Sequence, residues 1–403
     1  MARRSGYALA RYDEHALDYP PRVARAPRER TRPRRAARPL PSFGARVRRI
    51  VLVAFLLLVL DTLQSYASAL LRPSNVGFGI RSVEWLRDNG GAGLVSGVER
   101  AYYSLTAQGT GGAGLKSLPT VGVRTNLPRG GYAPPAIVPV LHPALPGEGV
   151  WRGTGPLVRG APGVMVTAFR ADPSYPQMVA GVAWIDASRT WLQLYPGRYE
   201  PPGAAGHSPL EVPQQLRAGL LATFNSGFKL EDSGGGFVAA GHVYAPMRPG
   251  LATLIRFRDG TADVRAWNGG PDPGPGVTFA RQNLPLIVNA GQLNPNLSNG
   301  REWGATLGNA VRVWRSGLGV DARGDIIYAA ADAQTATSLA QILQRAGAVR
   351  AMELDINSEW VTFNFYGASG ATRAAKLLPR MTRDATRYLT PDDRDFFGVF
   401  ARR

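Results

Sequence analysis

No cysteine occurs among the 403 residues, so disulfides, thiol nucleophiles and thiolate-bound zinc are excluded together. The compartment stays open, because a domain of this size can be stable outside the cell without disulfides. Histidine is nearly as scarce: four residues stand far apart, at 15, 142, 207 and 242, too dispersed for a local imidazole metal site. His242, in Ala-Gly-His-Val, reads as a turn residue. No Gly-x-Ser-x-Gly nucleophile motif is present. The glycine-rich string from Gly109 to Ser117 lacks the Gly-Lys pair of a phosphate loop, since Leu115 separates Gly114 from Lys116. Lysine is almost missing too. Of 47 basic residues 44 are arginine, so a lone arginine is weak evidence of a site.

What is present is unevenly spread. Residues 1–49 hold 14 Arg against 4 acidic residues, more than half of the chain's net charge of +18. This tail is rich in Arg, Pro and Ala without periodic apolar residues, so it cannot offset its ordering entropy and is expected to be disordered. A pI near 10.8 raises a nucleic-acid reading, but the tail carries no recognition motif and sits beside an apolar segment, so membrane topology or anionic headgroups explain it better and no nucleic-acid partner is expected. The long apolar run is Ile50 to Leu60, extended to Leu71 through Asp61 and Gln64. A span of 50–71 reaches the roughly 20 residues needed to cross a bilayer. It reads as an uncleaved transmembrane anchor, with a signal segment cut at Ala67-Ser68-Ala69 as the alternative that releases a secreted protein. Either way the arginine excess keeps residues 1–49 cytoplasmic and sends 72–403 to the extracytoplasmic side.

From 72 to 150 the chain reads as a stalk or linker with short helices: an amphipathic turn or two around Ile80, Val83 and Leu86 stopped at Asn89-Gly90-Gly91, a second helix around Val95 to Leu105, then glycine- and proline-rich linker chemistry. From Trp151 short strands take over, at Val164–Phe169, Met178–Ile185 and Trp191–Tyr195. A helix over about Pro213–Leu221 leads into a strand ending at Asn225, followed by hairpins at 237–244 and 252–267 and a buried strand Leu284–Val288. Next comes a hairpin of Ser316–Val320 and Asp325–Ala331 across Asp-Ala-Arg-Gly. A helix follows with Leu339, Ile342, Leu343 and Ala346 on one face, Ser338 and Gln341 at capping-box spacing, and Gly347 as its stop. A strand Val349–Leu354 delivers Asp355. Many strands and few helices make 151–403 one α+β unit, a mixed β-sheet domain with flanking helices, preceded by a single N-terminal membrane segment.

The candidate chemistry rests on carboxylates. Strand periodicity puts Glu353 and Asp355 on one face, about 6.6 Å apart along the strand, and facing carboxyls are the usual equipment for glycosidic cleavage. Glu353 has a structural alternative in pairing with an arginine such as Arg350 or Arg345. Asn357 and Glu359, in the following turn, suit an oxygen-rich site for a divalent cation such as calcium, or are simply polar loop residues. Arg315 can hold a phosphate bidentately or be an ordinary surface arginine. Asn225 and Asn289 both end apolar strands, where their amides suit sugar hydroxyls or turn formation. Gly227 permits close ligand approach.

Several stretches together resemble the phosphodiester glycosidase family, over roughly residues 160 to 400. Asn225-Ser226-Gly227-Phe228 is similar to that family's Asn-Gly-Gly-Phe. The run from Arg315 to Val320 resembles its Arg-Thr-Ala-Ile-Gly-Val strand, and the helix and strand into Leu354-Asp355 resemble the segment before its Leu-Asp-Gly-Gly-Gly-Ser. The resemblance implies hydrolysis of a glycosyl-1-phosphodiester, with Asn225, Arg315 and Asp355 in the pocket. Asp355 would be the acid/base, Glu353 or Glu359 its partner, Arg315 the phosphate holder and Asn225 the hydroxyl holder. In place of the glycine turn stands Ile356-Asn357-Ser358-Glu359-Trp360, a feature similar to an exported bacterial subfamily. The expected substrate is a sugar-phosphate linkage in a cell-envelope glycopolymer or glycoconjugate. A non-catalytic glycan-binding or envelope-scaffold protein on the same fold is the alternative.

Overall fold

The computed structural model describes residues 42–106, 109–112, 114–121, 132–204, 206–304, 312–367 and 373–402. The arginine-rich stretch 1–41 lies outside them. Two units separate, 1–62 and 63–403. The first contributes most of helix α1 (Phe43–Leu71), which is long and apolar enough to cross a membrane. It begins seven residues before the expected Ile50, because Ala45, Arg46, Arg48 and Arg49 are good helix formers with no breaker among them.

The second unit is built on three antiparallel sheets. The largest runs, in spatial order, Arg152–Val158, Ala161–Arg170, Val179–Ile185, Ile326–Gln334, Val313–Val320, Arg350–Glu353, Leu286–Asn289, Gln292–Leu293. A five-stranded sheet centres on Val277–Gln282, and another on Leu220–Asn225 between Phe363–Tyr366 and Phe396–Ala401. The main core fills the space between the sheets with Val164, Val166, Phe224, Phe279, Tyr328, Phe363 and Phe397. Such burial, at about 25 cal/mol per Å² of apolar surface, is the dominant favourable term in the fold.

On the other face of the large sheet lies helix Ala336–Arg345, with Leu339, Ile342 and Leu343 buried. Its cap is one turn earlier than the Ser338–Gln341 spacing suggested. The Thr335 hydroxyl accepts from Ser338 N–H, and the Ser338 hydroxyl accepts from Thr335 N–H. The helix can approach because Gly317 and Gly319 alternate in the strand below. A Cβ on Gly317 would lie 2.8 Å from a Leu343 methyl, and one on Gly319 would lie 2.9 Å from the Ala348 side chain that follows the helix. Other expectations shift modestly. Pro213–Leu221 is a 3-10 turn, Gln214–Gly219, and the last strand before Asp355 is Arg350–Glu353.

Both short helices expected in 72–150 are present, and the segment makes contacts with the strands that follow. Helices α2 (Phe78–Leu86) and α3 (Ala92–Thr106) are joined at Arg87–Gly91, where Gly90 takes φ +86°. Residues 74 and 75 bind the domain: Ser74 donates to Asp393, and Asn75 donates to Asp392 at 2.9 Å. The segment 132–150 is equally tied in, with Glu148 paired to Arg170 at 2.8 Å and Pro135 accepting from the Trp151 indole at 2.9 Å. The linker composition at 122–131 lies outside the described residues.

Candidate functional site

Asp355 follows the strand Arg350–Glu353, which pairs with Val313–Val320 through Gly317↔Glu353 and Leu318↔Met352. Beyond the last ladder pair, Ser316 holds the chain: its N–H donates to Asp355 O at 2.9 Å and its hydroxyl to the same oxygen at 3.1 Å. Asn225 braces that serine, donating to the Ser316 hydroxyl at 3.0 Å while its Oδ1 accepts from Tyr328 OH at 2.9 Å and Thr362 N–H at 3.0 Å. Asn225 also donates to Ser226 O, so its polar atoms are spent inside the protein. It positions Asp355 through Ser316; it does not face a ligand.

The Asp355 carboxyl accepts from Asn357 N–H at 2.9 Å and from Arg394 Nη2 at 3.3 Å. Burial pushes its pKa up from 3.8 to about 6, against the opposing pull of Arg394. A carboxyl that changes charge near neutrality is suited to proton transfer. Arg394 Nη2 also donates to Gly227 O at 3.0 Å, and its Nε has no hydrogen-bond partner among the described residues. The guanidinium lies 5.2 Å from the centre of the Trp360 ring.

These groups line a cavity of about 470 Å³ with Phe228, Lys229, Asp232, Ile356 and Asn357. An adjoining cavity of about 560 Å³ shares Lys229, Trp360 and Arg394 with it. Part of the wall comes from α2 and α3: Glu84, Asp88 and Glu99 border the cavity, and Asp88 pairs with Lys229 at 3.2 Å. Gly227 packs closely, since a Cβ there would meet the Asn283 amide at 3.0 Å.

The anticipated carboxylate pair is not assembled. Glu353 is fully buried and bound to Arg315, which also donates to Gln334 O and Trp303 O, each at 3.1 Å. Burial raises the Glu353 pKa despite Arg315. Arg315, 1% exposed, is thus a strut between strands rather than an open phosphate holder, and the partner of Glu353 is Arg315 rather than Arg350 or Arg345. Asn289 is exposed at the far end: Val288 opposes Ala351, so it sits near the start of the strand whose other end carries Asp355. Glu359 is half-buried with a pKa raised by burial, and its N–H donates to Asn357 Oδ1 at 2.9 Å. That bond ties the Asn357 side chain to its own turn at the cavity wall. Among the described residues no group of three His, Asp or Glu is placed to hold a metal ion.

Sequence reasoning missed Arg394. Its signal is Asp392-Asp393-Arg394-Asp395, four successive charges entering the buried strand Phe396–Ala401. Each has its own partner: Asp392 binds Arg387, Asp393 binds Arg198, Arg394 binds Asp355 and Asp395 binds Arg281.

No curated protein matches the chain. Among solved structures, the catalytic domain of zebrafish N-acetylglucosamine-1-phosphodiester alpha-N-acetylglucosaminidase, auto-inhibited by its pro-peptide, is 16% identical, with 63% of this chain and 88% of that one covered and a TM-score of 0.42. A hypothetical protein from Synechocystis is also 16% identical, covering 62% of this chain and 65% of that one, with a TM-score of 0.39. The family model of the phosphodiester glycosidases matches residues 218–355. The stretch from the Asn225 strand to Asp355 is therefore the part of this chain that carries the phosphodiester glycosidase family signature.

Proposed function

We propose that the chain is an exported, membrane-anchored glycoside hydrolase that cleaves a glycosyl-1-phosphodiester in a cell-envelope glycopolymer or glycoconjugate. The observation that carries this is the Asp355 carboxyl, raised to about 6, set beside Arg394 in a cavity at the end of the matched segment. Arg394, with Lys229 across the cavity, takes over the phosphate-holding role expected of Arg315. A phosphate monoester is a good leaving group and needs little protonation, so the demanding step is delivery of water to the sugar carbon. Ionised Asp355 draws a proton from that water, and the cations stabilise charge developing on the departing phosphate. Asn225 and Ser316 fix the backbone of Asp355, Asn357 N–H and Arg394 hold its carboxyl, and the Asn357 side chain lines the sugar side. The test is release of free sugar from a glycosyl-1-phosphodiester by the full chain in detergent. Turnover retained in Asp355→Ala would sink the assignment.

A further inference from the structure

Helix α3 carries an apolar stripe on its outer side. Leu94, Val98, Tyr102 and Leu105, spaced i, i+4, i+8 and i+11, are 65%, 62%, 61% and 87% exposed, while Val95 on the inner side is 6% exposed. Phe78, at the start of α2, is 68% exposed. Polar groups of the same hairpin point the other way, into the cavity: Asp88 pairs with Lys229, and Arg87 with Glu99. An amphipathic helix with this division is built to lie at an interface.

The chain itself says which interface. Only Arg72–Gly77 separate α1 from α2, and α2 folds back along the last turns of α1. Arg81 donates to Leu70 O at 2.7 Å, Ser82 hydrogen-bonds Tyr66 at 2.9 Å, and the Trp85 indole donates to Ser65 at 3.0 Å. The end of α2 is thus level with Ser65. From Ile50 to Gln64 the helix rises only about 22 Å at 1.5 Å per residue, less than the roughly 30 Å of a bilayer's hydrocarbon core. On the anchor reading proposed above, with the basic residues 46, 48 and 49 at the cytoplasmic face, the carboxyl end of α1 emerges at the opposite boundary of that core, and α2 is packed on that end. The Tyr66–Trp85 ring pair, 4.9 Å apart, is the kind of aromatic pair enriched there.

We propose that the outer face of α3, with Phe78, lies in the headgroup region of the outer leaflet, and that the cavity behind it takes the sugar-phosphodiester headgroup of a membrane lipid. The substrate half rests on the hydrolase reading above. In the reaction, water adds across the bond between the sugar C1 and the phosphate oxygen. The sugar leaves as a free hemiacetal, and the lipid keeps a phosphate monoester that carries the proton lost by water.

The absence of cysteine makes the test direct. Single-cysteine variants Val98→Cys and, at the hairpin at the opposite end of the Val313–Val320 strand from Asp355, Ala322→Cys are spin-labelled in the full chain. They are reconstituted into phosphatidylethanolamine/phosphatidylglycerol vesicles. The expected result is that the label at 98 is shielded from a water-soluble nickel chelate and broadened by oxygen, with accessibility to the chelate lower by roughly fivefold than at 322. Equal accessibility at the two sites overturns the docking, and so does spin coupling between labels at 98, which would show a second copy on this face. For the substrate, a vesicle-embedded hexadecyl glucosyl-1-phosphodiester is compared with its soluble methyl counterpart. Leu94→Glu/Val98→Glu should lower turnover of the embedded diester by about tenfold and leave the soluble one unchanged; equal loss on both, or on neither, refutes the lipid substrate. A wild-type chain inert on both diesters defeats the hydrolase reading and the substrate half with it, while the label still decides the docking.

Discussion

Asp355→Asn should make the protein more stable at neutral pH while removing the proposed hydrolysis. The carboxyl has its pKa raised from 3.8 to about 6 by burial. Because the folded-state value is the higher one, the neutral form is favoured by the fold. The cost of ionisation is absent below the unfolded value, grows as pH rises, and is complete above about 6. At 1.36 kcal/mol per pKa unit this amounts to ~3 kcal/mol at pH 7 to 8. Asparagine is nearly isosteric with the protonated carboxyl and keeps an acceptor for Asn357 N–H, so it avoids that cost. The assay is thermal or denaturant unfolding of the wild type and the variant side by side at pH 4, 6 and 8. The expected gain is about 3 kcal/mol at pH 8, shrinking through pH 6 and nearly gone at pH 4. A variant less stable than wild type at pH 8, or a difference independent of pH, would refute the claim that Asp355 is held at a functional expense.

Other perturbations separate the roles of neighbouring groups. The kcat/KM of the wild type should climb with pH through about 6 as Asp355 ionises, and Arg394→Gln should move that midpoint upward while raising KM for the diester; an unmoved midpoint would detach Arg394 from Asp355. Glu353→Gln or Arg315→Met breaks a fully buried pair and should cost about 3–5 kcal/mol in unfolding experiments, with the pH-rate midpoint of the surviving folded protein near the wild-type value. Asn225→Ala leaves Thr362 N–H without its acceptor and Tyr328 OH with only Thr362 O at 3.3 Å, which should cost roughly 1–3 kcal/mol; the folded fraction should show a lower kcat with little change in KM, as expected of a group that positions Asp355 without touching substrate.

What could be read from the sequence follows from the range of the interactions involved. The hairpin over Asp321–Gly324, the apolar face of helix Ala336–Arg345 and its stop at Gly347 all depend on contacts within a few residues, and all three are present. Asp355 at a strand's end was legible for the same reason. The fate of Glu353 was not: two-residue alternation places it on a face, but which cation meets it is set by the register Gly317↔Glu353 across strands, which brings Arg315 rather than Arg350 within reach. Arg394 lies 39 residues beyond Asp355, and nothing local in that stretch distinguishes it from the surrounding charged residues. In 72–106 the two short helices and the break at Asn89-Gly90-Gly91 were legible, but nothing local reveals that Ser74 and Asn75 find carboxylates more than 300 residues away.

Those two carboxylates, Asp392 and Asp393, immediately precede the arginine that holds Asp355. On the anchor reading, a displacement of the end of α1 is therefore passed, through Ser74, Asn75 and one peptide unit, to the cation that pairs with Asp355. A version of this protein trimmed at residue 77 for convenience would keep every residue of the family-matched segment and still lose the bonds of Ser74 and Asn75 to the two residues before Arg394. On the hydrolase reading its rate would then fall below that of the full chain, and restoring residues 72–76 alone should recover the difference.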